Sequence, residues 1–223
     1  MKFISKILKL ANNELTVPLS GGVDSLAVAH FIKTKCPKIK TKAMHFNHRL
    51  RPQNLEMEIS CRKFCQEFSI PFLVKSRWEP DEDKHPEASD MTYSEATLRH
   101  LRYKAMEGLG YVVTAHHLGD ACENHFFNFC NGVEQYLPIP VFTIYETGDL
   151  NIIRPFILNS KEDFRKYATE NDLNRFVVED ETNKDNKYRR NWVRNEILPL
   201  IDKNYNLETI VRKKYIKYIM DNF

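Results

Sequence analysis

The chain has 223 residues, 42% of them hydrophobic, and a formal net charge of +3 at pH 7. At roughly 150 residues per domain, this length favours one full domain with an appendage, and the hydrophobic content excludes a wholly disordered chain. No stretch reaches the roughly 18 apolar residues of a membrane-spanning helix. The five cysteines include no C-x-x-C pair that would indicate a zinc ribbon or a disulfide framework. We therefore expect a soluble, cytoplasmic protein of a reducing compartment.

Apolar strand patterns alternate with helical patterns along the chain. This alternation predicts an α/β fold, a doubly wound parallel sheet with a small C-terminal helical appendage. In chain order, we expect a helix over residues 1–13, a strand at 14–19, a helix from 24, a strand at 41–46, a helix at 54–68, a strand at 71–76, a helix from 94, a strand at 111–115, a helix at 121–130, a strand at 152–157, and helices at 160–171, 189–201 and 207–220. The main domain is predicted at residues 1–180, and a basic helical segment that packs on it at residues 181–223.

The charges are unevenly distributed. Seven acidic residues and one lysine lie between Glu79 and Glu95, in a stretch with two prolines that predicts a solvated surface loop. Ten Lys/Arg and four Asp/Glu lie between Lys184 and Lys217. The basic stretch is either a surface for a polyanion such as RNA or a solvated helix face.

A glycine-containing loop joins the first predicted strand to a helix, and consists of Ser20, Gly21, Gly22, Val23, Asp24 and Ser25. Glycines let the backbone approach an anion, and the amides, hydroxyls and helix N-terminus converge on one negative group. Asp24 would repel a phosphate directly, so we expect it to bind a bridging Mg²⁺. Unlike the ordinary P-loop, this loop has no lysine after the glycines, which suits binding of a pyrophosphate leaving group. The alternative is a glycine turn capped by serine and aspartate.

These residues and several later segments resemble one family. Ser-Gly-Gly-x-Asp-Ser resembles the pyrophosphate loop (PP-loop) of ATP pyrophosphatases, which adenylate a carbonyl oxygen and release pyrophosphate. The other segments resemble the tRNA(Ile)-lysidine synthetase branch of that superfamily. In chain order they run from His45 to Arg51, Glu95 to Tyr103, Thr114 to Glu123, Arg154 to Phe156, Glu179 to Asn183, Arg190 to Arg194 and Leu198 to Leu200.

The resemblance implies a Rossmann-like PP-loop domain over residues 1–180 and an ATP- and Mg²⁺-dependent ligase. Such a ligase adenylates the wobble cytidine of tRNA(Ile) with a CAU anticodon and joins free lysine to it, forming lysidine and releasing pyrophosphate and AMP. The alternatives are another adenylating enzyme of this loop family, which thiolates tRNA or amidates a small molecule, and a non-catalytic RNA-binding relative. The lack of C-x-x-C pairs argues against the thiolating enzymes. A homodimer is compatible with the resemblance.

The resemblance and the positions of charged groups together predict the site. The expected catalytic residues are Asp24, Asp120, Arg190 and Arg194, with Mg²⁺ at Asp24 and Asp120. The ATP-binding residues are expected to be those of the loop 20–25, His45 and His116. The tRNA-binding residues are expected to be His48, Arg51, Arg99, Arg102, Lys187, Asn191, Arg212 and Lys213.

Local chemistry supports parts of this assignment and leaves alternatives for others. His116 and His117 follow a predicted strand, where ligands bind in open α/β sheets, although one of them is alternatively a helix cap. Arg190 and Arg194 share a helix face and suit a phosphate. His45 and His48 are either ligands or rim residues that form hydrogen bonds. The aromatic residues Trp192, Tyr188 and Tyr205 either stack on unpaired bases or belong to the core.

Several features depart from the family pattern. Gly119 replaces the first of two paired aspartates, Asn47 stands where aspartate is frequent, and Pro18 interrupts the first strand. The resemblance also implies that bacterial members continue into tRNA-binding domains beyond the point where this chain ends. We therefore expect weak and strongly salt-dependent tRNA binding.

Overall fold

The computed structural model describes residues 2–11, 13–76, 94–145, 149–180, 182 and 185–222. Within these ranges one six-stranded sheet is formed by β1 (Glu14–Leu19), β2 (Lys40–Asn47), β3 (Phe72–Ser76), β4 (Gly110–Val113), β5 (Phe142–Tyr145) and β6 (Leu150–Ile153). The strand order is β3-β2-β1-β4-β6-β5, and all neighbours are parallel except β5 and β6. This arrangement confirms the predicted α/β fold. The predicted acidic loop lies mostly outside the described residues, as do Glu181, Asn183 and Lys184.

Helices connect the strands and continue beyond them. They are α1 (Lys2–Leu8), α2 (Val23–Lys35), α3 (Pro52–Glu67), α4 (Glu95–Met106), α5 (Leu118–Cys130), α6 (Lys161–Glu170), α7 (Arg189–Trp192), α8 (Leu198–Asp202) and α9 (Leu207–Asn222). Short 3₁₀ turns follow at Lys9–Ala11 and Asn174–Phe176, and a π-helical stretch at Val193–Ile197 joins α7 to α8. None of the described helices is long and apolar enough to cross a membrane.

Local sequence signals explain where the helices begin. Ser94 accepts a hydrogen bond from the Thr97 amide at the start of α4. At the start of α6, Ser160 and Asp163 form a capping box in which each side chain accepts from the other residue's amide (3.1 and 2.7 Å). Both predicted helix starts are confirmed.

Pro18 does not end β1. The β1–β2 ladder extends through Pro18, opposite Met44, as far as Leu19. Pairing with β4 instead joins Thr16 to Val112, two residues before the proline. The missing amide of the proline therefore lies beyond the observed pairing with β4, so the strand tolerates it.

The sequence prediction was wrong at one edge of the sheet. The last strand covers Leu150–Ile153 rather than residues 152–157, because Pro155 follows it. β5 was not predicted at all. It is a four-residue edge strand whose Ile144 is 63% exposed, so it lacks the alternating burial that identifies a strand in sequence.

The core lies on both faces of the sheet. Leu26, Ala29 and Ile32 of α2, whose spacing of three residues predicts one apolar helix face, are fully buried. The basic helix α9 also contributes to the core, since Val211 and Tyr215 are fully buried. The Tyr215 hydroxyl donates to the Ile139 carbonyl (2.7 Å) and accepts from its amide (3.1 Å). The domain boundary that we place at residue 180 stays a prediction.

The strand order determines where a ligand binds. From β1 the chain continues outward through β2 to β3, and then returns to β4 on the other side of β1. Open α/β sheets bind ligands at such a reversal, outside the carboxyl ends of the strands. The glycine-containing loop follows β1 and the two histidines follow β4, so both lie at this reversal.

Candidate functional site

The carboxyl ends of β1, β2 and β4 border a cleft of about 910 Å³. Most residues predicted to bind ATP or to act in catalysis line it: Ser20, Gly22, Val23, Asp24, Ser25, His45, His116, Asp120, Arg190 and Arg194. Of the residues predicted to bind tRNA, His48 and Arg102 line the same cleft. Two cations that sequence reasoning missed, Lys161 and Arg165, also lie in its wall. The fold therefore brings together groups that are far apart in sequence, while their roles stay predictions.

The loop between β1 and α2 is closed by its two serines. The Ser25 hydroxyl donates to the Gly22 carbonyl (3.0 Å) and accepts from the Ser20 amide (3.1 Å). Gly21 has a φ of +84°, and a Cβ at this position would lie 3.2 Å from Met57. Glycine is therefore required there for both conformation and space. Because Gly22 provides no side-chain cap for α2, the first amides of this helix remain available for an anion.

Asp24 lies in the first turn of α2 with one carboxylate oxygen unsatisfied. Its Oδ1 is buried and has no hydrogen-bond partner among the described residues. Burial raises the pKa of Asp24 above its usual value, although the nearby charges of His117 and Lys161 oppose this shift. A buried acceptor without a donor is costly unless a ligand satisfies it. The geometry therefore points to a cation or a donor bound at Oδ1.

The donor set around Asp24 fits Mg²⁺. Asp120 is the second carboxylate in this part of the cleft, and His117 lies between the two: its Nε2 is 3.8 Å from Asp24 Oδ2 and 3.6 Å from Asp120 Oδ2. Within the described ranges no group of three His, Cys, Asp or Glu side chains forms a complete metal site. Mg²⁺ commonly binds through one or two carboxylates together with water and substrate phosphates, so two carboxylates suffice.

His117 and Asp120 form a capping box at the start of α5. The His117 amide donates to Asp120 Oδ2 (2.9 Å), and the Asp120 amide donates to His117 Nδ1 (3.4 Å). Because Nδ1 accepts, the proton of a neutral His117 lies on Nε2, which faces the two carboxylates. Burial alone would raise the pKa of Asp120, but the neighbouring His117, whose amide donates a hydrogen bond to the carboxylate, lowers it below its usual value. The helix-cap alternative for one histidine of the pair thus describes His117.

Burial favours the neutral forms of two further histidines of the cleft, His116 and His45. Burial lowers the pKa of His116, and the positive charge of Arg154 lowers it further. Burial also lowers the pKa of His45, whose Nδ1 donates to the Leu19 carbonyl (2.8 Å). Nε2 of His45 is therefore an unprotonated acceptor, and it is buried without a partner among the described residues. This atom is suited to accept a hydrogen bond from a ligand.

Arg190 and Arg194 are oriented by a carboxylate that the sequence analysis did not assign to the site. Glu123, which is 1% exposed, accepts from Nε and Nη2 of Arg194 at 2.6 and 3.1 Å. Nε of Arg190 lies 3.3 Å from the same carboxylate, and Arg194 Nη2 lies 3.9 Å from Asp120. Glu123 therefore directs both guanidiniums toward one side of the cleft. The available sequence signal was an acidic residue three positions after Asp120, on the same helix face.

Asn47 is matched to a neighbouring carboxylate. Its Nδ2 donates to Glu58 (2.8 Å), and its Oδ1 accepts from the Arg49 amide (2.8 Å). An aspartate at position 47 would face Glu58 with a like charge. The neutral amide is therefore suited to this chain, although aspartate is frequent at this position in the family that the sequence resembles.

Several residues predicted to bind tRNA lie on the surface. Lys187, Lys213 and Arg99 are exposed, and the guanidinium of Arg99 stacks 5.0 Å from the ring centre of Tyr103. Nη1 of Arg51 lies 3.7 Å from Oδ1 of Asp180. The three aromatic residues of the tail are not in the core, because Tyr188, Trp192 and Tyr205 are 43%, 44% and 67% exposed.

Two residues predicted to bind tRNA donate side-chain hydrogen bonds to backbone carbonyls of the protein itself. Asn191 is 8% exposed, and its side-chain amide donates to the carbonyls of Thr182 (2.6 Å) and Asp185 (3.0 Å). Arg212 Nη1 donates to the Leu158 carbonyl (2.7 Å). Both side chains satisfy carbonyl groups outside the regular helices, a long-range requirement that charge patterning does not reveal. The tRNA-binding role of both residues stays a prediction.

Gly119 makes room for His117. A Cβ at position 119 would lie 2.8 Å from Cε1 and 3.0 Å from Nδ1 of the imidazole. Replacing a helical glycine by alanine usually stabilises a protein by about 1 kcal/mol. We expect Gly119→Ala to lack this gain because the imidazole must move. Urea unfolding should show the full gain only when His117→Ala is also present. An equal gain in both backgrounds would contradict the steric conflict.

Comparisons with known proteins agree with the loop and the fold. A family model described as a PP-loop domain matches residues 1–201. Among curated proteins, the chain is 30% identical over 220 residues to the tRNA(Ile)-lysidine synthase of Buchnera aphidicola and 31% identical over 215 residues to that of Oceanobacillus iheyensis. The alignments cover 91% and 92% of this chain but 45% of each relative. The chain therefore spans a little under half the length of these relatives.

Among solved structures, the chain resembles the U34-tRNA thiolase NcsA of Methanococcus maripaludis, which was determined with its [4Fe-4S] cluster. The TM-score is 0.70 at 15% sequence identity, and the match covers 100% of this chain and 80% of that one. At this identity the likeness concerns the fold alone. The match to the PP-loop domain is what confirms the resemblance of the loop 20–25 to a PP-loop.

Proposed function

Because this chain belongs to the PP-loop domain family, we propose that it uses ATP to modify tRNA. Specifically, we propose that it adenylates the wobble cytidine of tRNA(Ile) with a CAU anticodon and joins free lysine to that base. The observation on which this rests is the grouping of the loop, Asp24, Asp120, Arg190 and Arg194 in one cleft. The names of the similar curated proteins support the choice of lysine and of this tRNA.

The proposed reaction has two steps. The 2-carbonyl oxygen of the cytidine attacks the α-phosphate of ATP, and the bond to pyrophosphate breaks. The lysine amine then attacks the adenylated carbon, loses a proton, and AMP leaves. Both steps require a base that is unstacked and reachable from the cleft, and the first also requires groups that bind pyrophosphate. Single-stranded anticodon loops present such bases.

Each part of the cleft has a task in this proposal. The amides and serine hydroxyls of residues 20–25 bind the leaving pyrophosphate. A magnesium ion bound by Asp24 and Asp120 would neutralise charge on the phosphates. Arg190 and Arg194, held in place by Glu123, stabilise the charge that develops around the α-phosphate. Nε2 of His45 is an acceptor for an N–H group of the bound nucleotide.

The proposal is tested by mass spectrometry of nucleosides from tRNA(Ile) with a CAU anticodon, after incubation with the protein, ATP, Mg²⁺ and labelled lysine. A cytidine that carries lysine, absent with Asp24→Ala, is the expected result. Pyrophosphate release without lysine transfer would indicate another adenylating enzyme of this family. If the protein binds RNA but releases no pyrophosphate, it is a non-catalytic relative.

We expect the exposed lysines of the tail to contribute to tRNA binding through counterion release. Removing two phosphate contacts with Lys187→Ala and Lys213→Ala should reduce the slope of log Kd against log salt by about 2. Lys40→Ala is the matched control. Lys40 is exposed at the amino end of β2, whereas the cleft lies at the carboxyl ends of the strands. Filter binding at several salt concentrations measures the slopes. An unchanged slope in the double variant would show that the RNA lies elsewhere.

A further inference from the structure

The loop 20–25 lacks the lysine that the ordinary P-loop places against the terminal phosphates. Its donors are backbone amides and serine hydroxyls, and its charged residue, Asp24, is negative. Helix amides alone provide only partial positive charge. A full positive charge from another segment of the chain, placed beside the loop, would therefore stabilise the terminal phosphates of a triphosphate in this cleft.

Lys161 enters the same cleft from α6. It lines the wall together with Ser20, Gly22 and Asp24. It is the first residue of α6, directly after the cap formed by Ser160. Since that capping box fixes the first turn of the helix, the backbone of Lys161 has a defined position beside the loop.

The turn before α6 is also tied to the other side of the site. The Leu118 amide, at the start of α5, donates to the Asn159 carbonyl (2.8 Å). This places the 159–161 turn beside the cap formed by His117 and Asp120. Lys161 thus lies close to the two segments that carry Asp24 and Asp120, and its charge acts on Asp24.

Three arginines of the cleft have a carboxylate partner, and Lys161 does not form such a pair among the described residues. Arg190 and Arg194 interact with Glu123, and Arg165 lies 3.7 Å from Glu162. Lys161 is half-buried, yet within the described part of the chain it forms no salt bridge and no hydrogen bond. A half-buried ammonium group beside an anion-binding loop is suited to a phosphate, which lysine binds as a compact point charge.

We propose that Lys161 binds the terminal phosphates of ATP and the pyrophosphate that they become, supplying from α6 the cation that the loop itself lacks. This inference rests on the proposed use of ATP and adds a residue that distinguishes pyrophosphate from AMP. Arg190 and Arg194 then act at the α-phosphate, while Lys161 acts at the leaving group.

Calorimetric titration with magnesium pyrophosphate, magnesium ATP and AMP tests the proposal. We expect Lys161→Ala to weaken binding of pyrophosphate and ATP by about tenfold or more, the loss typical of a charged hydrogen bond, and to leave AMP binding unchanged. Lys161→Arg should restore most of the affinity. Lys166→Ala is the matched control, since Lys166 lies on the same helix but is 74% exposed and 3.9 Å from Glu170. AMP binding and thermal unfolding verify that each variant is folded.

The outcomes separate this inference from the proposed function. If Lys161→Ala binds pyrophosphate as the wild type does, or loses AMP and pyrophosphate equally, the inference is overturned. If the wild type binds neither ATP nor pyrophosphate, the proposed use of ATP fails and the inference fails with it. If the selective loss of pyrophosphate binding is observed but lysine is never transferred to tRNA, the inference stands and only the proposed substrate is wrong.

Discussion

Asp24→Asn should lower the rate of pyrophosphate release at least a hundredfold and, at the same time, increase the free energy of unfolding at pH 7. The first effect follows because the amide is a poor Mg²⁺ ligand compared with a carboxylate. The second follows because burial raises the pKa of Asp24, so the ionised form opposes folding. The protonated carboxyl stabilises the native state fully below the ordinary pKa of the group, and this stabilisation is lost as pH rises through the raised pKa. Asparagine does not ionise, so Asp24→Asn loses no stability in this way.

Two measurements check this expectation. Pyrophosphate release gives the activity, and urea unfolding with and without Mg²⁺ gives the stability. Mg²⁺ should stabilise the wild type, as any ligand of the native state does, and leave Asp24→Asn unchanged. Asp172→Asn serves as control, because Asp172 is 80% exposed and interacts with Arg175 outside the cleft. Equal stabilisation of wild type and Asp24→Asn by Mg²⁺ would exclude Asp24 as a ligand.

Glu123→Gln should lower both stability and activity, because it leaves two guanidiniums without their common counter-charge. Breaking a buried ion pair by removing one partner costs about 3–5 kcal/mol, and we expect about 3 kcal/mol, since the side chains of Arg190 and Arg194 are 26% and 31% exposed. Glu123 acts through the arginines, so kcat should fall at least tenfold while KM for ATP changes little.

Glu58→Gln is the matched control for Glu123→Gln. Glu58 also lies on a helix and interacts with an arginine, at 3.1 Å, but that arginine side chain is 51% exposed. Its loss should therefore cost much less stability and little activity. Steady-state kinetics of pyrophosphate release and urea unfolding compare the two variants. A fall in stability without any change in kcat would restrict Glu123 to a structural role.

Two departures from the family pattern, Gly119 and Asn47, fit the side chains that surround them. At position 119 the absence of a side chain lets the His117 imidazole lie over the start of α5. At position 47 the amide bridges Glu58 and the Arg49 backbone. In both places a carboxylate is absent, and Asp24 and Asp120 remain as the two carboxylates beside His117.

The features that depend on neighbouring residues could be predicted from the amino-acid sequence. The loop 20–25, the alternation of strands and helices, the cap at Ser160 and the apolar face of α2 all follow from short-range hydrogen bonds or from periodicity. The residues that produce each signal lie within a few positions of each other, so the sequence alone is enough to recognise it. The order of the segments then predicts the edge of the sheet at which the cleft forms.

The side-chain contacts across the cleft depend on how distant segments pack, and they could not be predicted from the sequence. Glu123 and Arg194 are 71 residues apart in sequence, and nothing in the local pattern of either residue indicates their contact. The same holds for Lys161 beside Asp24, and for Asn191, whose amide is directed inward to the Thr182 carbonyl. Burial and pairing of charges depend on how elements pack, because a charged side chain on a helix faces either solvent or a carboxylate depending on what lies opposite it.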